Sequence, residues 1–287
     1  MGCLGGGLAL LLLSPRAQSL LVFVQWLAWP PFDHTDLEKP SPAWVHGVAR
    51  LLGRIFRPEG SLRWGAFEGL PGAKPFAVCG PNGTLRGMRL PAAKPARGTV
   101  LYLHGNAGTV AVRHRVELMQ LLASSALACS VVAVDYAGFG CSDRRWPDEA
   151  SAVADALATL EALPQQEVLA VWGHSLGSGI ATGAFAELLR RGRGPPPGLL
   201  LEAPFTSVPS VAASWLWWLP GLLRRRLEAL LNAALWAHRM PSLERIRHVA
   251  EHVHVEVLHG TEDAVVPYAH GVQLAKAAGA ALHTFER

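Results

Sequence analysis

From residue 97 onward, apolar runs of strand length alternate with segments of helical length, and no other feature limits the possible folds as much. The runs are Thr99–Leu103, Ser130–Asp135, Val168–Trp172, Leu199–Glu202, Val253–Leu258 and Ala281–Phe285. Helices are expected over Ala111–Ser124, Glu149–Leu163, Leu176–Arg190 and Val266–Ala278. Strands that are apolar without interruption have both faces covered, so the expectation is a mostly parallel central sheet with helices on both sides, an α/β fold. A chain of 287 residues is long enough for such a core.

Composition excludes several alternatives. Charged residues make up 17%, below the usual quarter, which removes a solvated coiled coil and a disordered tail protein. The four cysteines, Cys3, Cys79, Cys129 and Cys141, are far apart and form no CxxC pair, against a disulfide scaffold or a zinc finger. The net charge of +4 is carried mostly by arginine, in short groups such as Arg190, Arg191, Arg193 and Arg224–Arg226. Without a recognisable binding module these do not make a nucleic-acid footprint, and no nucleic-acid partner is expected.

The apolar excess is concentrated in residues 1–29, read as a first segment. Its two runs, Leu4–Leu13 and Leu20–Trp29, are each too short to span a bilayer. Joined, they would put Pro15 and Arg16 near the bilayer centre, where an arginine is costly. A kinked or partly embedded membrane anchor is the expectation, with a removed signal peptide as the alternative. Gly6 breaks a myristoylation motif; Cys3 remains a possible palmitoylation site. Residues 30–96 form an extension, with a hairpin expected where Ala77-Val78 and Leu85–Leu90 flank Pro81-Asn82-Gly83. Residues 97–287 form the core, interrupted by an insertion over 206–250 that reads as a lid. Four tryptophans lie in it (Trp215, Trp217, Trp218, Trp236) beside Arg224–Arg226. They either pack the insertion onto the sheet or rest it at a lipid–water interface, and both can hold.

Chemistry enters at Gly173-His174-Ser175-Leu176-Gly177. The bare G-x-S-x-G pattern is weak, but here it follows a buried strand directly and opens a helix rich in small residues. That is the setting in which a serine hydroxyl is held out on a sharp turn. His104-Gly105-Asn106-Ala107-Gly108 ends an earlier strand, where the backbone N–H groups of Asn106 and Leu176 would face a developing oxyanion. After Val253–Leu258 comes His259-Gly260-Thr261-Glu262-Asp263, and Asp263 is the candidate triad acid. Glu262 reads as solvent-facing, Glu202 as a weaker candidate acid, and Asp135 as a structural residue of the adjoining turn.

These strings, HGNAG, HRVEL (His114–Leu118), DYAGFG, GHSLGSG, LEAPFTS (Leu201–Ser207) and LHGTEDAVVP, resemble the α/β-hydrolase-domain serine hydrolases. Within that family they look like the branch of endoplasmic-reticulum-anchored lysophosphatidylserine and monoacylglycerol lipases. The resemblance implies an α/β-hydrolase fold with a helical lid and a Ser–Asp–His triad cleaving long-chain acyl esters such as lysophospholipids or monoacylglycerols. Ser175 takes the nucleophile's place, Asp263 the acid's, and Asn106 with Leu176 the oxyanion hole. The implied setting is the endoplasmic reticulum membrane, with a lipid substrate, no cofactor or metal, and no obligate protein partner. Ala137 departs from the family, which usually carries arginine there.

The base is the larger departure. It should follow Asp263, in a loop after the last strand. Only His270 and His283 come after Asp263; the first is expected on a helix, the second within Ala281–Phe285 and pointing into a helix layer. The expectation is that the triad histidine lies past Arg287, with the last helix. A catalytically silent, membrane-bound homologue is the alternative.

Two other motifs receive plain readings. Gly177-Ser178-Gly179 with Gly183 imitates a dinucleotide fingerprint but falls inside a helix, several residues past the strand. His252 and His254 alternate along one strand face, read as solvated and not as a metal site.

Overall fold

The strands are β1 (Lys74–Gly80), β2 (Gly83–Leu90), β3 (Gly98–Leu103), β4 (Cys129–Val134), β5 (Val168–His174), β6 (Gly198–Glu202), β7 (His254–Gly260) and β8 (Ala281–Phe285). They form one sheet in the order β1-β2-β4-β3-β5-β6-β7-β8. β2 pairs antiparallel with β1 and β4, and every later pairing is parallel. The helices are α1 (Pro15–Val22), α2 (Arg113–Ala123), α3 (Glu149–Glu161), α4 (Leu176–Arg190), α5 (Val208–Ser214), α6 (Gly221–Ala234), α7 (Ser242–Ala250) and α8 (Ala269–Ala278). This computed structural model describes residues 14–23, 34–46, 48 and 67–286.

Alternation along the central strands explains the layers. Leu101, Leu103, Val132, Val171, Leu199, Leu201 and Val257 face one core, with Ile180 and Phe185 of α4 and Leu157 and Leu160 of α3. Val100, Tyr102, Val131 and Ala133 face the other, with Val116, Met119 and Leu122 of α2. Both faces are covered, as uninterrupted apolar strands require. The edge strand β8 differs: its five residues are mostly exposed. The long helix ends at its expected bounds in α4, whereas α8 starts at Ala269, because Val266-Pro267 belongs to the preceding loop.

β3 sits between β4 and β5, so the winding reverses there. Connections leaving β3 and β5 diverge to opposite faces, opening a crevice beyond their carboxyl ends. Both candidate strings, His104–Gly108 and Gly173–Gly177, fall at this crevice.

The N-terminal segment is described only in part; residues 1–13, including Cys3, and 24–33 lie outside the described residues. Among those described, no helix is long and apolar enough to cross a membrane. α1, which the sequence places within the anchor, lies instead against the core. Val22 and Phe23 join the larger apolar cluster. Gln18 Nε2 donates to the Ala234 carbonyl (2.7 Å) and Ser19 Oγ to that of Pro147 (2.6 Å). Phe23 meets Phe139 and His238 edge-on, with ring centroids 6.2 and 5.5 Å apart.

Several imidazoles are buried in the neutral form. Burial, aided by the nearby Arg115 charge, pulls His114 and His174 down to about 4 and His104 well below its ordinary range. His270 is lowered by burial as well. The unfolded chain protonates these groups below about pH 6.5 while the folded protein resists, so stability falls as pH drops from about 6.5 toward 4. Asp135, pushed up to about 6 by burial, acts in the opposite sense between its ordinary value and 6, as do Asp155 and Glu202, which burial also raises, but the four imidazoles outnumber these three carboxylates. Urea midpoints are therefore expected to decline between pH 7 and 5, and less steeply in His174→Gln; a midpoint constant over that interval would contradict neutral burial.

Candidate active site

β5 ends at His174 and α4 begins at Leu176, so Ser175 alone turns the chain. It does so with φ 50° and ψ −115°. A residue with a side chain enters such a region at a cost of about 1–3 kcal/mol, so the surroundings must hold it there. The Ser175 N–H donates to the Glu202 carbonyl of β6 (2.8 Å). Its own carbonyl accepts from the Ser178 N–H (2.8 Å) and from Ser178 Oγ (2.6 Å). Glycine is required on both sides. A Cβ at Gly173 would lie 2.5 Å from the Gly177 carbonyl oxygen, and one at Gly177 would lie 2.0 Å from that of Leu103. The Ser175 side chain is half-buried at the head of α4, whose first N–H groups have no intrahelical acceptor. Leu176, itself buried, contributes one of them.

The loop after β3 closes against this turn. A Cβ at Gly105 would stand 2.8 Å from His174 Nδ1 and 3.3 Å from Ser175 Cβ, so the backbone leading to Asn106 touches the serine. Ala107 and Gly108 bend the loop with φ of 82° and 78°. The Asn106 side chain is turned away, its Nδ2 donating to the Val22 carbonyl at the end of α1, while its backbone stays in the loop.

Arg115 of α2 holds the loop from beneath. Its guanidinium, almost wholly buried, donates to the carbonyls of Gly105 (3.2 Å), Ala107 (2.7 Å) and Thr109 (2.8 Å). Asp135 accepts from the N–H groups of Val110 (2.9 Å) and Cys141 (3.3 Å) and lies 3.5 Å from His104 Nε2. His104 stacks on Tyr136, ring centroids 4.4 Å apart, and the Tyr136 hydroxyl donates to the His104 carbonyl (2.9 Å). Asp135 thus ties two turns together, and no partner of it is a reacting group. Sequence reasoning missed the part played by Arg115. On a helix it reads as an ordinary charged residue, and only the fold shows it pointing inward.

Asp263 follows β7, two strands from β5. It is half-buried; its Oδ1 accepts from the N–H groups of Val265 (2.8 Å) and Val266 (2.9 Å). The Asp263 charge slightly opposes the fall in the His174 pKa. His259, which the sequence did not single out, braces this loop: its Nε2 donates to the Val266 carbonyl (2.8 Å), and Gly271 leaves room for the ring. Glu262 is exposed. Glu202 accepts from Trp172 Nε1 (2.8 Å), and burial raises its pKa.

The remaining histidines are engaged elsewhere. His270 is buried on α8, with Nδ1 2.9 Å from Thr206 Oγ1. His283 is bound to Glu256 (2.7 Å) on an exposed part of β8 instead of entering a helix layer. Among the described residues no histidine is hydrogen-bonded to the Ser175 hydroxyl. The paired strand-face histidines are corrected too. His254 opens β7, but His252 precedes it and bonds back to the His248 carbonyl (3.0 Å). Gly179 and Gly183 serve helix packing, since a Cβ would meet the Phe205 ring and Val153, each at 2.7 Å. A cavity of about 850 Å³ is lined by residues including Val153, Gly183, Glu187, Trp236 and Arg245; Ser175, Asn106 and Asp263 do not border it.

Residues 98–235 match the alpha/beta hydrolase fold family. The chain is 32% identical to the lysophosphatidylserine lipase ABHD12 of Danio rerio, over 91% of this chain and 66% of that protein. It is 31% identical to its namesake from Macaca fascicularis, over 92% of this chain and 64% of that one. The chain thus spans just under two thirds of the length of these curated relatives. Among solved structures, an α/β hydrolase from Vibrio vulnificus superposes with a TM-score of 0.59 at 16% identity, over 88% of this chain and 81% of that one, a likeness of fold alone. Sheet order, serine turn, family match and relatives agree: the chain has the α/β-hydrolase fold.

Proposed function

We propose that this chain is a serine hydrolase acting on fatty-acyl esters, with lysophospholipids or monoacylglycerols as the substrate class. The observation that carries the proposal is the left-handed backbone of Ser175 between a buried strand and a helix, with the oxyanion loop packed against it. The relatives named lysophosphatidylserine lipase support the lipid ester as substrate.

In this reading Ser175 Oγ attacks the ester carbonyl carbon, forming a C–O bond as electrons move onto the carbonyl oxygen. The N–H groups of Asn106 and Leu176 receive that oxyanion; losing one such donor typically raises the barrier by about 2.7–4 kcal/mol. Collapse of the tetrahedral intermediate expels the alcohol, and water then releases the fatty acid from the acyl-enzyme. An imidazole must take the serine proton and return it to the leaving oxygen. Asp263 would orient that imidazole and stabilise its cation. Two backbone N–H groups hold its Oδ1, which fixes the carboxylate, while Oδ2 lies 3.8 Å from His259 Nε2. No cofactor enters the scheme. The substrate class implies a membrane as the lipid's source, and the endoplasmic reticulum membrane is the proposed location.

One observation favours a second reading. None of the described histidines bridges Ser175 and Asp263, so a chain with the serine turn and oxyanion loop but no proton relay would be a catalytically silent, membrane-bound homologue.

A fluorophosphonate probe separates the two. The hydrolase reading expects labelling of the folded chain that disappears in Ser175→Ala, with lysophospholipid hydrolysis falling at least about a thousandfold. Absence of labelling in a chain that unfolds cooperatively supports the silent reading. Asp263→Asn keeps the shape of the loop but removes the charge; kcat is expected to fall by roughly three to four orders of magnitude with KM nearly unchanged. An unchanged kcat would remove Asp263 from the triad.

A further inference from the structure

The insertion between β6 and β7 contains a helix, α6, with one face half-buried and the other exposed among the described residues. None of the fourteen residues of α6 is buried. Leu222, Arg226, Ala229, Leu230 and Ala233 are spaced so that they share one face of the helix, and all are exposed. Leu222 is 65% exposed and Leu230 68%. In the turn before α6, Trp217 is 77% exposed and Trp218 65%. Exposed large apolar side chains are thus concentrated in one short stretch of the chain, of the kind that marks a site of contact.

Charge decides what the contact is. Arg224, Arg225 and Arg226 make no ion pair among the described residues, and Arg225 and Arg226 are exposed alongside the leucines. Two copies of this chain meeting face to face would oppose like charges. An anionic bilayer offers the complement. Indole rings settle at headgroup depth, leucines enter the acyl boundary, and guanidinium groups meet lipid phosphates and carboxylates. We propose that the Trp217-Trp218 turn and the outer face of α6 form a docking surface for anionic lipid bilayers, with α6 lying parallel to the membrane plane.

The site is tied to this surface. Trp215 Nε1, two residues before the exposed pair, donates to the Val265 carbonyl (2.7 Å) in the loop that begins at Asp263. At its far end, α6 receives Gln18 of α1 at the Ala234 carbonyl, and α1 in turn reaches Asn106. A bilayer under α6 would therefore lie beside both the acid loop and the oxyanion loop. The inference deepens the lipid-ester reading by naming the surface through which the chain meets its substrate phase.

The test is hydrogen–deuterium exchange of the full chain with phosphatidylcholine vesicles, with and without phosphatidylserine. Slowed exchange across residues 216–234 on phosphatidylserine vesicles is expected. Arg225→Glu/Arg226→Glu should lower affinity for those vesicles at least about tenfold while leaving neutral vesicles little changed. Trp217→Ala/Trp218→Ala should weaken binding to both. These side chains are exposed, so unfolding midpoints should match the parent chain and confirm that the variants fold. A vesicle-bound chain with 216–234 unprotected overturns the proposal, as does failure to bind vesicles at all. Protection that appears without lipid and grows with protein concentration overturns it in favour of a second copy. Reactivity of Ser175 enters none of these readouts, so a chain inert to fluorophosphonates yet protected by vesicles would sink the hydrolase reading and leave this one standing.

Discussion

The structure turns on one close approach: the head of α4 packs so tightly against β3 and β5 that only hydrogen atoms fit at Gly173 and Gly177. A methyl group at Gly177 would overlap the Leu103 carbonyl. This contact makes the single-residue turn at Ser175 possible and keeps its strained backbone from relaxing, because the carbonyl and N–H on either side are already committed to Ser178 and Glu202. The same contact aligns the first turn of α4 with the end of β3. The serine, the first N–H groups of the helix and the loop after β3 thus come to one point of the crevice as a consequence of packing.

Around that point the protein uses buried polar groups as braces. Arg115 is the most exacting: a buried cation is costly unless it is paired with acceptors, and three loop carbonyls accept from its two terminal nitrogens. The loop needs those donors equally, since its carbonyls point inward, away from solvent. Asp135, His104 and Tyr136 complete the arrangement, and His259 does for the loop after β7 what Arg115 does for the loop after β3.

The insertion follows another logic. α4 is buried along most of its length, whereas α6, richer in leucine and alanine but carrying three consecutive arginines, has no buried residue. At the end of α1, Val22 and the Phe23 that follows it are in the core.

What the sequence determined by itself was local and periodic. Uninterrupted apolar strands, the glycines around Ser175 and the placing of Asp263 just after β7 were readable because each depends on neighbours a few residues away: pleat alternation, a turn that excludes Cβ atoms, a strand followed by its loop. Hence α4 and β8 fall at their expected bounds, and Ser175, Asn106, Leu176 and Asp263 could be named in advance as candidates. Tertiary structure decided what depends on partners distant along the chain. Arg115 on a helix and His259 in a strand carry no local sign of pointing inward, and Gln18 and Ala234, 216 residues apart, meet only once the chain is folded. The direction of α1, the commitment of His283 to Glu256 and the bare outer face of α6 were likewise settled by what else competes for the surface, because burial is a property of the whole packing and not of a segment.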